Sequence, residues 1–445
     1  MKVFREVGRL LVMSGRAHAQ WELEVSHRIL RSRTRLMILG ALLGMVVIGG
    51  IAFADEINQA LPNIIGGKEP YSPAFYSPKI FMISIFVGLA AGLITGCIGA
   101  GGGFVITPAL MSAGVKGILA VGTDLFHIFA KAIMGSVLHR KLGNISFTLA
   151  IAFLVGSIAG STAGGYLNRT LYEYNPTISD AFITIVYVVM LGFLGIYAMT
   201  DYIKSKKSVA EASRTLEPHE EEVRVKEEAI TGLSQKLQKV NIPPMITFDQ
   251  GVTPGGRRIS ALFLVISGMI VGLAAAIMGV GGGFLTFPIF VYVLGVSSAT
   301  TVGTDIFQIV FTAGYASLFQ YAIYGFVFFS LALGMLLGSL LGVQVGSIVT
   351  KVVSGSVIRG FYAITIIAGF INRLFALPDK MRKLGYIGLS KGTTTFIDRI
   401  GMVVFFGVIL IFALWVFKVF FSNISVLKGE EPPHSGKTVA KGGEA

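Results

Sequence analysis

Seven long uncharged apolar runs constrain this chain more than any other feature: Leu36–Ala54, Ile80–Ile98, Ile145–Tyr166, Ala181–Thr200, Ile259–Met278, Phe326–Val349 and Met402–Phe417. Runs of about 17–25 such residues match the hydrocarbon core of a bilayer. Lipid offers backbone groups no hydrogen bonds, so spanning segments must be helices or closed barrels, and runs this long are helices. Only 14% of residues are charged, against about 25% in soluble domains. The chain is expected to be an all-α polytopic membrane protein with the lipid bilayer as its first partner.

Two other readings fall away early. A net charge of +13 would suit nucleic acid, but cytoplasmic loops of membrane proteins collect Lys and Arg, so no nucleic-acid partner is expected. The single cysteine, Cys97, excludes an intrachain disulfide and every multi-cysteine metal site. Its apolar setting predicts a small buried residue. No metal and no cofactor are expected.

Residues 1–54 comprise a basic segment and an apolar run read as a signal-anchor helix, with 55–79 an external loop holding Pro62, Pro70, Pro73 and Pro78. Residues 80–200 and 259–374 form two transmembrane halves, separated by a polar linker at 201–258. A basic loop at 375–399, a last spanning helix at 400–421 and a polar tail at 422–445 complete the chain.

The halves repeat one another. Gly99, Gly101, Gly102, Gly103, Phe104 and Pro108 return 180 positions later as Gly279, Gly281, Gly282, Gly283, Phe284 and Pro288. "VGTDLF" at Val121–Phe126 returns as "VGTDIF" at Val302–Phe307, and "GSIAG" at Gly156–Gly160 as "GSLLG" at Gly338–Gly342. An odd number of crossings per half places the N-terminal segment, the linker and the tail inside, with about 25 of the 37 Lys and Arg on the positive-inside face. Odd crossings also make the repeats inverted, as in many secondary transporters. The basic stretch Asn372–Arg399 runs against this topology.

The glycine runs fail the nucleotide patterns. Phe104 or Phe284 stands where the dinucleotide fingerprint needs its last glycine, and neither copy has the Lys-Ser/Thr of a P-loop. Clustered glycines followed by a proline are poor helix, and non-helical backbone at membrane depth is tolerated only against protein or a water-filled cavity. Gly99, Gly101, Gly102, Gly103, Gly279, Gly281, Gly282 and Gly283 are therefore candidate substrate-binding residues, their N–H groups facing an anion. The competing reading is that they only let helices cross closely.

Two halves that each carry "GxGGGF…P" and then "GTD" on the next helix resemble the TauE/SafE sulfite exporter family. The resemblance covers roughly Lys79–Leu374 apart from the linker. It implies a transporter of sulfite, sulfonates or related small anions in the cytoplasmic (inner) membrane.

Asp124, His127 and Lys131 share one helical face. Ionisable groups inside a span are costly and usually face a cavity or each other. Lys131 is the candidate anion-binding charge, and Asp124 and His127 are candidate coupling groups. The second half carries Asp305, Gln308 and Thr312 on the same face, so Asp305 and Gln308 join the coupling set. For both Asp residues, capping of a helix N-terminus stands beside the functional reading.

Secondary transport of a small anion by alternating access is the leading function, coupled to a proton or ion gradient or uncoupled. A cation- or proton-linked carrier or a channel for another organic anion is the alternative. An intramembrane enzyme is not expected, since the chain has no His-Glu-x-x-His pair.

Overall fold

The computed structural model describes Met37 and residues 78–98, 102–142, 145–215, 232–249, 256–350, 352–353 and 355–423. The expected signal-anchor helix, the external loop up to residue 77, the glycines Gly99 and Gly101, and the tail beyond residue 423 lie outside the described residues.

The first half contains α1 (Pro78–Ile98), the short α2 (Gly103–Ser112), α3 (Gly117–Leu142), α4 (Phe147–Tyr174) and α5 (Pro176–Thr215). The linker supplies α6 (Gly232–Lys239) and an antiparallel hairpin of β1 (Met245–Phe248) and β2 (Arg257–Ser260). The second half contains α7 (Ala261–Met278), the short α8 (Gly283–Pro288) with a π-turn at Ile289–Leu294, α9 (Ser298–Tyr315), α10 (Phe329–Val349) and α11 (Gly355–Lys383). A last helix, α12, covers Lys391–Ser422. Eight helices among the described residues are long and apolar enough to cross a membrane: α1, α4, α5, α7, α9 with the turns that extend it, α10, α11 and α12. Helix α3, the counterpart of α9, has 26 residues, about 39 Å at 1.5 Å per residue. The protein is an all-α polytopic membrane protein.

The halves interlock by exchanging helices. Helix α1 packs along α10, and α4 along α7, through glycines four apart that share one face. A β-carbon on Gly88, Gly92 or Gly96 would strike the backbone near Met335, Ser339 or Val343, and one on Gly338, Gly342 or Gly346 would strike α1 in return. Gly156, Gly160 and Gly164 meet Val265, Met269 and Leu273 of α7 in the same way. Lipid gives apolar helices no hydrophobic reason to associate, so this backbone proximity is what packing can exploit. The "GSIAG" and "GSLLG" anchors of the repeat are these crossing faces.

Counterpart helices also meet each other, head to tail. The start of α3 meets the turns that extend α9, with Gly122 against Tyr321, and just before α10 the Phe328 N–H donates to Thr123 Oγ1 at 2.9 Å. Just beyond the end of α3, the Ser146 N–H donates to Thr304 Oγ1 near the start of α9 at 3.0 Å. Helices α5 and α11 run antiparallel likewise, Gly192 against Phe370 and Gly360 against Tyr202.

The sequence expectations need adjustment at two places. The expected basic loop 375–399 is mostly helix: α11 runs on to Lys383 and α12 begins at Lys391. Arg382 and Lys383 sit at i+3 and i+4 from Asp379, at 2.9 and 2.7 Å, so the charges brace a helix end. Ser390 then caps α12, accepting from Thr393 N at 3.1 Å. The linker is also partly ordered against the second half. Gln238 donates to the Leu294 carbonyl at 2.8 Å and Arg257 to the Gly295 carbonyl at 2.6 Å. Asp249 accepts from both the N–H and the hydroxyl of Ser297, each at 2.8 Å.

Candidate functional site

Where α1 gives way to α2, the chain folds back on itself. A β-carbon on Gly102 would strike Ala91 of α1. The counterpart Gly282 is just as close to Val271 of α7, and it accepts the first N–H groups of α8. Gly279, Gly281 and Gly282 take φ of 81°, 68° and 90°, a left-handed backbone that side chains disfavour.

The two breaks meet at the centre of the helix assembly. Gly103 lies against the backbone of Val280, and Gly279 against Thr107 of α2 and Val121 of α3. Gly281 packs on Ile128 of α3, and Gly283 on the Asp305 carboxylate of α9. Of the glycines singled out in the sequence, the six described ones, Gly102, Gly103, Gly279, Gly281, Gly282 and Gly283, are all buried in this junction. They make the breaks and let the breaks touch.

The "GTD" helices deliver the polar groups. Asp124 lies well inside α3 and is fully buried, so it does not cap that helix. The cap is Asp180 of α5, which accepts from Gly117 N at 2.8 Å and pairs with Lys380 at 3.2 Å. The start of α9 is held by Ser297 and Asp249, not by Asp305. The capping alternative for Asp124 and Asp305 therefore fails. Instead Thr107 of α2 donates to Asp124 Oδ2 at 3.0 Å. His127 Nδ1 faces Asp124 Oδ1 at 3.6 Å, too far for a hydrogen bond, and both atoms are buried without a hydrogen-bond partner. On its other side His127 Nε2 is 2.9 Å from Ser339 Oγ of α10. Partly buried Lys131 donates to Thr95 Oγ1 of α1 at 3.3 Å.

The second half repeats this arrangement with fixed partners. Gln308 donates to Asp305 Oδ1 at 2.9 Å and accepts from Thr312 at 2.7 Å. Thr312 is in turn 2.7 Å from Ser157 Oγ of α4. The structure thus joins Asp124 with His127 and Asp305 with Gln308, and sets Lys131 one helical turn past His127.

Sequence reasoning missed four contributors. Thr107 and Thr95 carry no motif of their own. Ser339 and Ser157 were in view as the second residues of the "GSLLG" and "GSIAG" anchors, a signal read only as repeat evidence. Arg373 is also buried; its guanidinium reaches the Pro108 carbonyl at 3.2 Å and Ser112 Oγ at 2.6 Å. It fastens α11 to the last turn of α2, where free carbonyls favour a cation. Cys97 is buried as expected, its thiol 3.4 Å from the Gly346 carbonyl. No group of three or more His, Cys, Asp or Glu among the described residues is placed to hold a metal ion.

Comparison with known proteins agrees with this architecture. The family model for the sulfite exporter TauE/SafE matches residues 84–373. A probable membrane transporter of Bacillus subtilis, YjnA, is 26% identical over 271 residues, 59% of this chain and 87% of its own length. A second from that organism, YunE, is 29% identical over 153 residues, 33% of this chain and 55% of its own. A probable membrane transporter of Methanocaldococcus jannaschii is 34% identical over 91 residues, 19% of this chain and 33% of its own. No solved structure matches. With the doubled glycine-proline breaks, the paired "GTD" helices and most of the apolar spans inside the matched region, the chain is a multi-pass membrane transporter and belongs to the TauE/SafE sulfite exporter family.

Proposed function

We propose that this protein is a secondary transporter that moves a small anion, sulfite or an organosulfonate, across the cytoplasmic membrane by alternating access with a proton as coupling ion. One observation carries the reading: two glycine-rich breaks, one from each half, meet backbone to backbone beside a buried acid on each side. Broken helices from two repeats at the membrane centre are how transporters build ion and anion sites.

The parts take roles by their chemistry. Backbone N–H groups of Gly102 and Gly103, and of Gly279, Gly281, Gly282 and Gly283, line the anion site. Lys131 supplies its positive charge. Asp124 and His127 exchange the coupling proton, with Asp305 and Gln308 as their counterparts in the second half. The two halves rock about the interlocked pairs α1–α10 and α4–α7.

The antiparallel pairing of α3 with α9 and of α5 with α11 supports an inverted repeat. In this reading the short α2 does not cross, α1 and α2 together return to one side, and α3, α4 and α5 make three crossings. An odd count would put the N-terminus and the linker together on the cytoplasmic side, the arrangement that the Lys and Arg distribution favours.

The test is sulfite and taurine counterflow with the purified full chain in sealed vesicles. Trans-stimulated exchange of labelled sulfite supports the carrier. Flux that labelled and unlabelled substrate do not share supports a channel. Absence of both removes this substrate class.

A further inference from the structure

We propose that His127 is a proton switch whose charge is read across the interface between the halves by the Ser339 hydroxyl, and that Gln308 is the same device fixed in its neutral form. The inference deepens the transport reading and rests on it only for the consequence that flux follows pH.

The geometry of His127 is that of a bridge. Its ring sits on α3, in the first half, and is fully buried. Nε2 reaches Ser339 on α10, in the second half, and Nδ1 faces Asp124 across a 3.6 Å gap. Asp124 Oδ1 and His127 Nδ1 are buried without a hydrogen-bond partner. Leaving such an atom unpaired is costly, so at this facing couple a change of protonation that pairs the two atoms relieves the cost.

A neutral imidazole has one donor and one acceptor; the protonated ring has two donors. Neutral His127 with its proton on Nδ1 faces the carboxylate with a donor and accepts from Ser339 at Nε2. When the ring takes one proton from solvent, a single N–H bond forms at Nε2 and the ring gains one charge. Ser339 must then accept. Its own proton has somewhere to go, because the Leu336 carbonyl is 3.2 Å from Oγ. The hydroxyl direction therefore reports the charge on His127. Ser339 also lies at the α1 crossing, with its carbonyl against Gly92, so the report is delivered where α1 and α10 touch.

The second half shows the same circuit with an amide in place of the imidazole. Gln308 presents a permanent donor to Asp305 and a permanent acceptor to Thr312. Ser157, the counterpart of Ser339, is likewise 3.2 Å from a carbonyl one turn back, that of Leu154. An amide does not exchange donor for acceptor with pH, so Gln308 cannot switch as the His127 ring can.

The surroundings join proton to anion. On α3, Lys131 acts on both Asp124 and His127. From α5, Tyr187 faces Asp124, its hydroxyl bonded to the Met278 carbonyl, with Arg373 of α11 beyond it. Helices α2, α1 and α10 bring hydroxyls, from Thr107, Thr95 and Ser339. On α9 the carboxylate of Asp305 is already held by Gln308. A proton on His127 is opposed by Lys131, and an anion drawn to Lys131 relieves that opposition.

Cys97, the one cysteine in the chain, reports on the α1–α10 contact through its bond to the Gly346 carbonyl. The purified full chain is labelled with a maleimide between about pH 4 and 8, a window that reaches below the range of an exposed histidine, with no anion added. Dividing the wild-type rate by that of His127→Gln at each pH cancels the titration of the thiol. The ratio is expected to change by about fivefold, the low end of coupling between linked sites. Ser339→Ala, which keeps the imidazole, is expected to follow His127→Gln. A ratio flat with pH, a thiol that stays unlabelled throughout, or a Ser339→Ala profile that follows wild type overturns the switch. Sulfite counterflow is measured on the same preparations. A wild type without flux overturns the transport reading and leaves the Cys97 ratio to judge the switch alone.

Discussion

A β-carbon placed on Gly103 would lie 2.8 Å from the Cα of Val280: the first glycine-rich break touches the second through backbone, with no side chain between. That contact joins residues from the two halves of the repeat at the one point where both helices are interrupted. It is expected to be sensitive to a single added methyl group.

Gly103→Val should wedge the breaks apart. Overpacking of this kind costs about 1–3 kcal/mol, little enough for a multi-span protein to remain folded. The expected result is a monodisperse protein with sulfite counterflow reduced at least tenfold. Counterflow equal to wild type would show that the junction is packing alone.

Lys131→Ala should weaken sulfite binding. A hydrogen bond to a charged group contributes about 1.5–3 kcal/mol, a factor of roughly ten to a hundred in affinity. Titration calorimetry with sulfite on the purified chain measures it. Unchanged affinity would take Lys131 out of the anion site and leave its bond to Thr95 as its role.

Asp124 and Asp305 are counterparts with different company, and their amide variants should differ. Asp124→Asn removes the carboxylate that faces His127, so the pH profile of sulfite flux should flatten. Asp305→Asn keeps an oxygen for the Gln308 amide, so the profile should keep its slope while the maximal rate falls. Two equally flattened profiles would contradict the asymmetry of the halves.

Much of this site was legible in the sequence because duplication made it so. A glycine cluster is ambiguous alone, but Gly103 and Gly283 recurring with Phe and Pro at the same offsets marked two breaks. Asp124, His127 and Lys131 stood out because charge inside an apolar span is costly. Ser339 was hidden because a serine between helix glycines is ordinary; its meaning comes from a partner 212 positions away. Asp180 and Asp249 were hidden for the same reason, since a cap supplied from a distant element leaves no local capping pattern. The basic stretch after Asn372 misled because its charges pair at i, i+3 and i+4 along a helix end instead of marking a loop.

Asp249 ties the linker to transport. Its carboxylate accepts from the N–H and hydroxyl of Ser297, and Ser297 Oγ accepts from Thr300 N at 3.4 Å at the start of α9. That helix carries Asp305 and Gln308. Losing a cap costs about 0.5–2 kcal/mol. Asp249→Ala should therefore lower the midpoint of thermal unfolding and speed hydrogen exchange of the first amides of α9. Sulfite affinity should hold, because Asp249 stands about two turns of α9 from Asp305, at 5.4 Å per turn. Exchange at Thr300 and Thr301 equal to wild type would mean that the hairpin rests on the second half without holding it.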